Sequence, residues 1–177
     1  STRAAATCCA MAMKFRSSRR CREGKGDFRF QISDFRFQIS DLRMQISGMK
    51  RELAITTEVI DEAALLRQRA LPDDMGAVVC FLGVVRGTEE NRTIRAIEYE
   101  AFQKMAVHQF HQLFDEMEQR WPVASVRLAH RIGVVPVREP SLWVEVIAPH
   151  RSEAFAACQW LIDEMKRVVP IWKKPLA

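Results

Sequence analysis

Three observations predict an α+β fold, a mixed or antiparallel sheet with about three helices and a poorly structured N-terminal appendage. Apolar residues recur at helical spacing in three stretches, near 59–70, 102–121 and 155–169. Between and beside them lie runs rich in Val, Ile and Leu, at 77–85, 93–100, 126–132 and 141–148. Residues 1–50 differ from everything that follows in charge, cysteine content and repetition.

The appendage comes first. Residues 27–47 read DFRFQIS, DFRFQIS, DLRMQIS, three near-copies ending at Gly48. An odd period reverses the face of a strand at each copy, which disfavours one continuous strand. As a helix, Phe28, Ile32, Phe35, Ile39, Leu42 and Ile46 alternate steps of four and three, a heptad seam too short and too rich in Ser and Asp to be robust. Residues 1–22 hold no acidic residue and much Ala, Ser and Arg, the composition of an organellar transit peptide. The preferred expectation is a translated upstream stretch, with the functional chain beginning near Met49. Cys8, Cys9 and Cys21 have no His or second Cys pair beside them, so no zinc site is expected.

The folded part is expected over 51–177. Thr57 is the candidate N-cap of a first helix whose stripe is Val59, Ile60, Ala63, Leu66 and Ala70, ending before Pro72. AVVCFLGVV after Gly76 fits a strand buried on both faces. A polar loop over 87–91 leads to a strand at 93–100. Phe102, Met105, Ala106, Phe110, Leu113, Met117 and Trp121 define a second helix, stopped by Pro122. Val126, Leu128, His130 and Ile132 alternate along a strand, and SLWVEVIA (141–148) forms another. Ser152 is the expected cap of the last helix, with Phe155, Cys158, Ile162, Met165 and Val169 inward and Pro170 at its end.

Charge and cysteine narrow the function. The chain has 27 Lys+Arg against 22 Asp+Glu, a formal +5. Residues 1–50 hold 11 basic and 4 acidic residues, a net +7, so the remainder is net −2. A basic partner-binding surface is thus confined to the appendage, and no nucleic-acid motif accompanies it. No apolar run approaches the roughly 20 residues that span a bilayer. Two cysteines in apolar contexts, Cys80 and Cys158, make no disulfide framework, and a reducing, cytoplasmic setting is expected. Both are expected to be inert core thiols. His130 fits a satisfied core histidine, while His108, His111 and Asp115 fit a solvated helix face. No P-loop, G-x-S-x-G or dinucleotide glycine pattern is present, and no cofactor or metal is expected.

What remains is cationic. Arg86 closes the strand after Gly76; His150 and Arg151 precede the last helix, whose first N–H groups are free; Lys166 borders its stripe; Lys173 and Lys174 follow its exit. Cations drawn from a strand end, a helix start and a helix exit make sense together chiefly around an anionic substrate. Crowding makes a lysine amine available as nucleophile or base, which points to Lys166 or Lys173.

GAVVCFLGVVRG (76–87), HRIGVVPV (130–137), APHRSEAFAAC (148–158) and LIDEMKRVVPIWKK (161–174), in that order, closely resemble the large, catalytic subunit of molybdopterin synthase. The similarity runs from about 52 to 174. It implies a hammerhead-like α/β arrangement and a sulfurtransferase that converts cyclic pyranopterin monophosphate (precursor Z) to molybdopterin by installing two sulfurs as a dithiolene. The implied donor is a ubiquitin-like small subunit with a C-terminal Gly-Gly thiocarboxylate, in a heterotetramer built on a homodimer of large subunits. By carry-over, Lys166 is the main catalytic residue, Lys173 and Arg86 serve the substrate pocket, His150 and Arg151 grip the pterin phosphate, and Phe81 shapes the pocket. The family commonly continues past the lysine pair with an acidic residue and a tail, whereas Pro175 follows here. The alternative expectation is therefore a non-catalytic, partner-binding homologue with an incomplete C-terminus.

Overall fold

The structure, a computed structural model, describes residues 48–177. The heptad copies, the three N-terminal cysteines and the transit-peptide-like stretch lie outside the described residues. A four-stranded sheet in the order β1-β6-β8-β2 is built from β1 (Lys50–Thr56), β2 (Ala77–Val84), β6 (Ser125–Arg131) and β8 (Pro140–Ala148). It is mixed: β1 runs parallel to β6, and the β6–β8 and β8–β2 pairs are antiparallel. A second, antiparallel sheet is ordered β7-β5-β9, from β5 (Ala96–Ala101), β7 (Gly133–Pro136) and β9 (Ile171–Leu176). A two-stranded hairpin joins β3 (Thr88–Glu89) to β4 (Arg92–Thr93). Three helices complete the fold, α1 (Glu62–Arg67), α2 (Gln103–Arg120) and α3 (Arg151–Val168).

Alternation places the core. Val126 and Leu128 of β6 and Leu142, Val144 and Val146 of β8 share one face of the four-stranded sheet. There they meet Phe110, Leu113, Phe114 and Met117 of α2 and Ala157, Cys158, Leu161, Ile162 and Met165 of α3. Met49, just before β1, is buried in the same cluster, and its N–H donates to Glu118 of α2 at 2.7 Å. On the other face, Leu65 of α1 packs on Ile60, Ala129 and Trp143. A separate small core of Val85, Ile94, Ile97 and Val135, joined by Tyr99 and Val137, holds the second sheet.

Several expectations are corrected. Asp61, not Thr57, caps α1, accepting from the Ala64 N–H at 2.9 Å; Thr56 instead holds the Glu58 N–H at 3.0 Å. The helix has six residues, and Val59 and Leu66 of the expected stripe are exposed. α3 starts two residues early, with His150 as N-cap and no side-chain cap bond, and the Ser152 hydroxyl donates to Glu153 at 2.7 Å. Phe155 points to solvent. The 87–91 loop is part of the β3–β4 hairpin, whose Glu90 and Asn91 both take positive φ (49° and 63°), as a tight two-residue turn requires.

The largest correction concerns burial. β2 is an edge strand: Val79 and Phe81 pack on the main core, but Cys80, Leu82 and Val84 are exposed on its other side. The buried strands are β6 and, from Ser141 on, β8, which carry Arg127, Arg131 and Glu145. A continuous apolar run therefore marks the edge, while the interior strands accommodate charge by pairing it.

Candidate functional site

The two sheets and the end of α3 enclose a cavity of about 670 Å³. β2 and its exit contribute Phe81 and Arg86, the hairpin contributes Glu89, and β5 contributes Tyr99. His130 comes from β6, Ser141 from β8, Met165 and Lys166 from the last turn of α3, and Lys173 from β9. Lys173 arrives because β9 pairs with β5, setting Lys173 opposite Tyr99 and Lys174 opposite Glu98. Pro170 ends α3 by removing an N–H and lets the chain turn back into that pairing.

Four of the six residues expected at the site, Phe81, Arg86, Lys166 and Lys173, line this one cavity. His150 and Arg151 do not. They are exposed at the start of α3, and the fifteen residues from Arg151 to Lys166 span about 22 Å at 1.5 Å per residue. The convergence expected of a helix start with the other two elements is thus corrected for a single copy of the chain.

Glu89, which no sequence motif marks, ties part of the rim together. Its side chain is only 10% exposed and bridges two of the cations, pairing with Lys173 and, at 3.1 Å, with Arg86 Nη2. Lys173, then Arg86, hold its carboxyl below the usual carboxylate range. Lys166 makes no ion pair with any described residue, so the rim carries three cations against one carboxylate.

His130 is buried, as expected, with Nδ1 2.9 Å from the Arg131 carbonyl oxygen and Tyr99 edge-on at 5.4 Å. Burial pushes its pKa down, against a smaller upward pull from that carbonyl. Tyr99 Oη lies 3.3 Å from Ser141 Oγ, itself 3.3 Å from the Gly83 carbonyl. Nothing in the local sequence marks Tyr99 or Ser141; only the meeting of β5 with β8 does.

The cysteines stand elsewhere. Cys80 is exposed rather than buried, on the outer face of β2, with Sγ 3.0 Å from Arg69 Nη2 and 3.6 Å from Glu145 Oε2. Desolvation and the Glu145 carboxylate push its pKa up, so it is no ready nucleophile. Cys158 is buried, as expected, and its pKa is pushed up to about 11 by burial. His108 and His111 lie exposed on α2, and Asp115 there is paired with Arg51 at 2.5 Å. A smaller groove of about 320 Å³ between α2 and α3 is lined by Asp115, Glu116, Glu164 and Arg167, whose charges are already paired. Among the described residues no group of three His, Cys, Asp or Glu side chains is placed to hold a metal, and no helix is long and apolar enough to cross a membrane.

Known proteins share this architecture. The molybdopterin synthase catalytic subunit of Thermoplasma volcanium is 38% identical over 122 residues, covering 69% of this chain and 88% of that protein. Molybdopterin synthase catalytic subunit 1 of Aedes aegypti is 38% identical over 103 residues, 58% of this chain, and the match spans 66% of that protein's length. The crystal structure of molybdopterin synthase from Staphylococcus aureus matches with a TM-score of 0.63 at 33% identity, covering 71% of this chain and 89% of that one. The MoaE protein family matches residues 55–168, from the end of β1 to the end of α3, a span that includes Phe81, Arg86 and Lys166. By that match over more than half its length, the chain belongs to the MoaE protein family.

Proposed function

We propose that this chain is the catalytic subunit of a molybdopterin synthase, a cytoplasmic sulfurtransferase of molybdenum cofactor biosynthesis. The observation that carries this reading is the convergence of Arg86, Lys166 and Lys173, from three separate elements, on one cavity. A cyclic phosphate and a thiocarboxylate tail are both anions, and a rim with surplus positive charge suits both. The relatives' designation as catalytic subunits supports a second subunit as partner. That partner would be the ubiquitin-like small subunit, bringing the sulfur as a C-terminal Gly-Gly thiocarboxylate, one for each sulfur of the dithiolene. The absence of a low-pKa thiol at the cavity is then no obstacle.

Lys166, the rim cation without an ion pair among the described residues, takes the catalytic role beside the thiocarboxylate. Arg86 and Lys173 hold the substrate, and Phe81 shapes the wall beneath them. His150 and Arg151 are too far along α3 to grip the phosphate in their own cavity. A homodimer of large subunits inside the heterotetramer resolves this, with the pair reaching the cavity of the second copy.

The test is reconstitution: the full chain, thiocarboxylated small subunit and precursor Z, with molybdopterin as readout. Turnover that collapses in Lys166→Ala is expected. Complex formation with the small subunit but no turnover by the wild type would favour the non-catalytic alternative. Mixing Lys166→Ala chains with Arg151→Ala chains should restore part of the activity, because one cavity of the mixed dimer then has both residues intact.

A further inference from the structure

The cavity contains a second polar set, and each member has its proton committed away from the open space. The Gly83 carbonyl can only accept, so the Ser141 hydroxyl 3.3 Å away donates to it. Ser141 Oγ therefore receives the Tyr99 hydroxyl, also at 3.3 Å. By the same logic the Arg131 carbonyl takes an N–H from His130 Nδ1, which leaves a lone pair on Nε2 of the neutral ring. Tyr99 packs edge-on against that ring, with 76° between the planes, and holds its orientation. Nε2 has no hydrogen-bond partner among the described residues. The buried side-chain atom left without a partner there is Arg131 Nε instead, so Nε2 reaches the cavity that His130 lines.

We propose that His130 is a substrate-binding residue whose Nε2, with the Tyr99 and Ser141 oxygens, forms an acceptor-only wall selecting a ligand that carries N–H or O–H donors besides its anionic group. The proposal rests on the sulfurtransferase reading and adds to it: the rim cations take the anion, and this wall takes the N–H groups of a nitrogen heterocycle. A shape-matched ligand lacking those donors would leave the wall's acceptors unpaired and bind poorly.

The wall works only while the imidazole is neutral. Burial favours that state; the ionisable groups that share the cavity with the imidazole are Arg86 beside β2, Lys166 from α3, Lys173 from β9, Glu89 of the hairpin and Tyr99 of β5. Its cross-strand neighbours on β1 and β8, Ile55 and Leu142, are uncharged. Protonation at low pH would turn Nε2 from acceptor to donor.

The test assays the full chain with thiocarboxylated small subunit and precursor Z across pH, as wild type, His130→Phe and His130→Gln, with a thermal melt for each. His130→Phe should raise KM for precursor Z about tenfold with kcat nearly unchanged, the worth of one hydrogen bond. His130→Gln, which restores an acceptor oxygen, should recover most of that affinity and lose the wild type's rise in KM at low pH. A wild-type KM in His130→Phe overturns the acceptor wall and leaves sulfur transfer standing. Should His130→Phe fail to fold, His130→Gln and Ser141→Ala decide: Ser141→Ala should weaken binding by freeing the Tyr99 proton toward the cavity. An unchanged KM there, with the low-pH rise persisting in His130→Gln, overturns the proposal. No turnover by the wild type overturns the sulfurtransferase reading and this inference with it.

Discussion

Two clusters of charge in this protein use the same residue types to opposite ends. Behind the four-stranded sheet, Glu145 accepts from Arg127 Nη1 at 3.2 Å and Arg69 Nε at 2.6 Å, while Arg127 also reaches Glu52 at 2.8 Å and the Leu65 carbonyl at 3.0 Å and lies over the Trp143 ring. Two arginines face two carboxylates, and Arg127 and Glu145 are almost wholly buried. At the cavity, Arg86 and Lys173 share the single carboxylate of Glu89, Lys166 has no ion-pair partner among the described residues, and all three cations stay open to solvent. Balanced and buried charge holds strands together; surplus charge on an open rim awaits a ligand.

Lys166→Ala should break the second cluster's function and spare the fold. Removing Lys166 from its proposed catalytic role should cost about 10²- to 10⁴-fold in turnover, while loss of this side chain, exposed and unpaired among the described residues, should leave the melting temperature nearly unchanged. The mirror experiment is Glu145→Ala. It leaves buried Arg127 with only Glu52 and the Leu65 carbonyl and should cost about 3 kcal/mol in denaturant unfolding, the low end for a broken buried pair, with the activity per folded molecule retained. Replacing Arg127 and Glu145 together by leucine should return much of that loss, because Arg69 and Glu52 are exposed enough to be solvated. A large activity loss in folded Glu145→Ala would show that the two clusters are not separable.

Sequence periodicity reveals elements that act alone better than elements that need a partner. α2 and α3 are legible because apolar residues at helical spacing give each its own apolar face. β9 is not legible, since IWKKPL resembles a charged tail until β5 supplies the hydrogen bonds that make it a strand. β1 is hidden for a similar reason: it opens on the charged Lys50–Glu52 run, and Arg51 is accommodated by Asp115 and Glu118 from α2, more than sixty residues away. β2 was placed but not its burial, because a run of apolar residues does not tell whether a strand has two neighbours or one. At the candidate site, Arg86, Lys166 and Lys173 are legible as cations at element ends, and Phe81 only through the family resemblance. Glu89 is not legible, because its role depends on a hairpin carrying it back to β9, and the gap from Arg151 to Lys166 became visible only as the length of a helix.

His130 sharpens the comparison by pH, since it is buried like the first cluster yet opens on the second. Its folded pKa lies below the ordinary 6.5, so between the two values the unfolded chain binds the extra proton. Stability should be full above about pH 6.5 and fall as pH drops toward the folded pKa. Chemical denaturation of wild type and His130→Gln across pH 5–8 checks this: part of the wild-type slope in that window should vanish in the variant.

Glu89→Gln probes the smallest effect, the single carboxylate that partly balances the rim. Lys173 and Arg86 keep Glu89 ionised well below neutral pH, so at pH 7 the substitution removes one full negative charge and nothing else of its shape. An anionic ligand then meets three cations unopposed, and KM for precursor Z should fall by about two- to fivefold at low ionic strength. Surface charges separated by more than a Debye length of about 8 Å are screened at physiological salt, so the gain should shrink as salt is raised. The opposite outcome, a drop in kcat at unchanged KM, would mean that Glu89 aims Lys173 rather than merely offsetting it. The carboxylate would then belong with the balanced, position-fixing charges of the Glu145 cluster, and the line between the two regions would run through the rim itself.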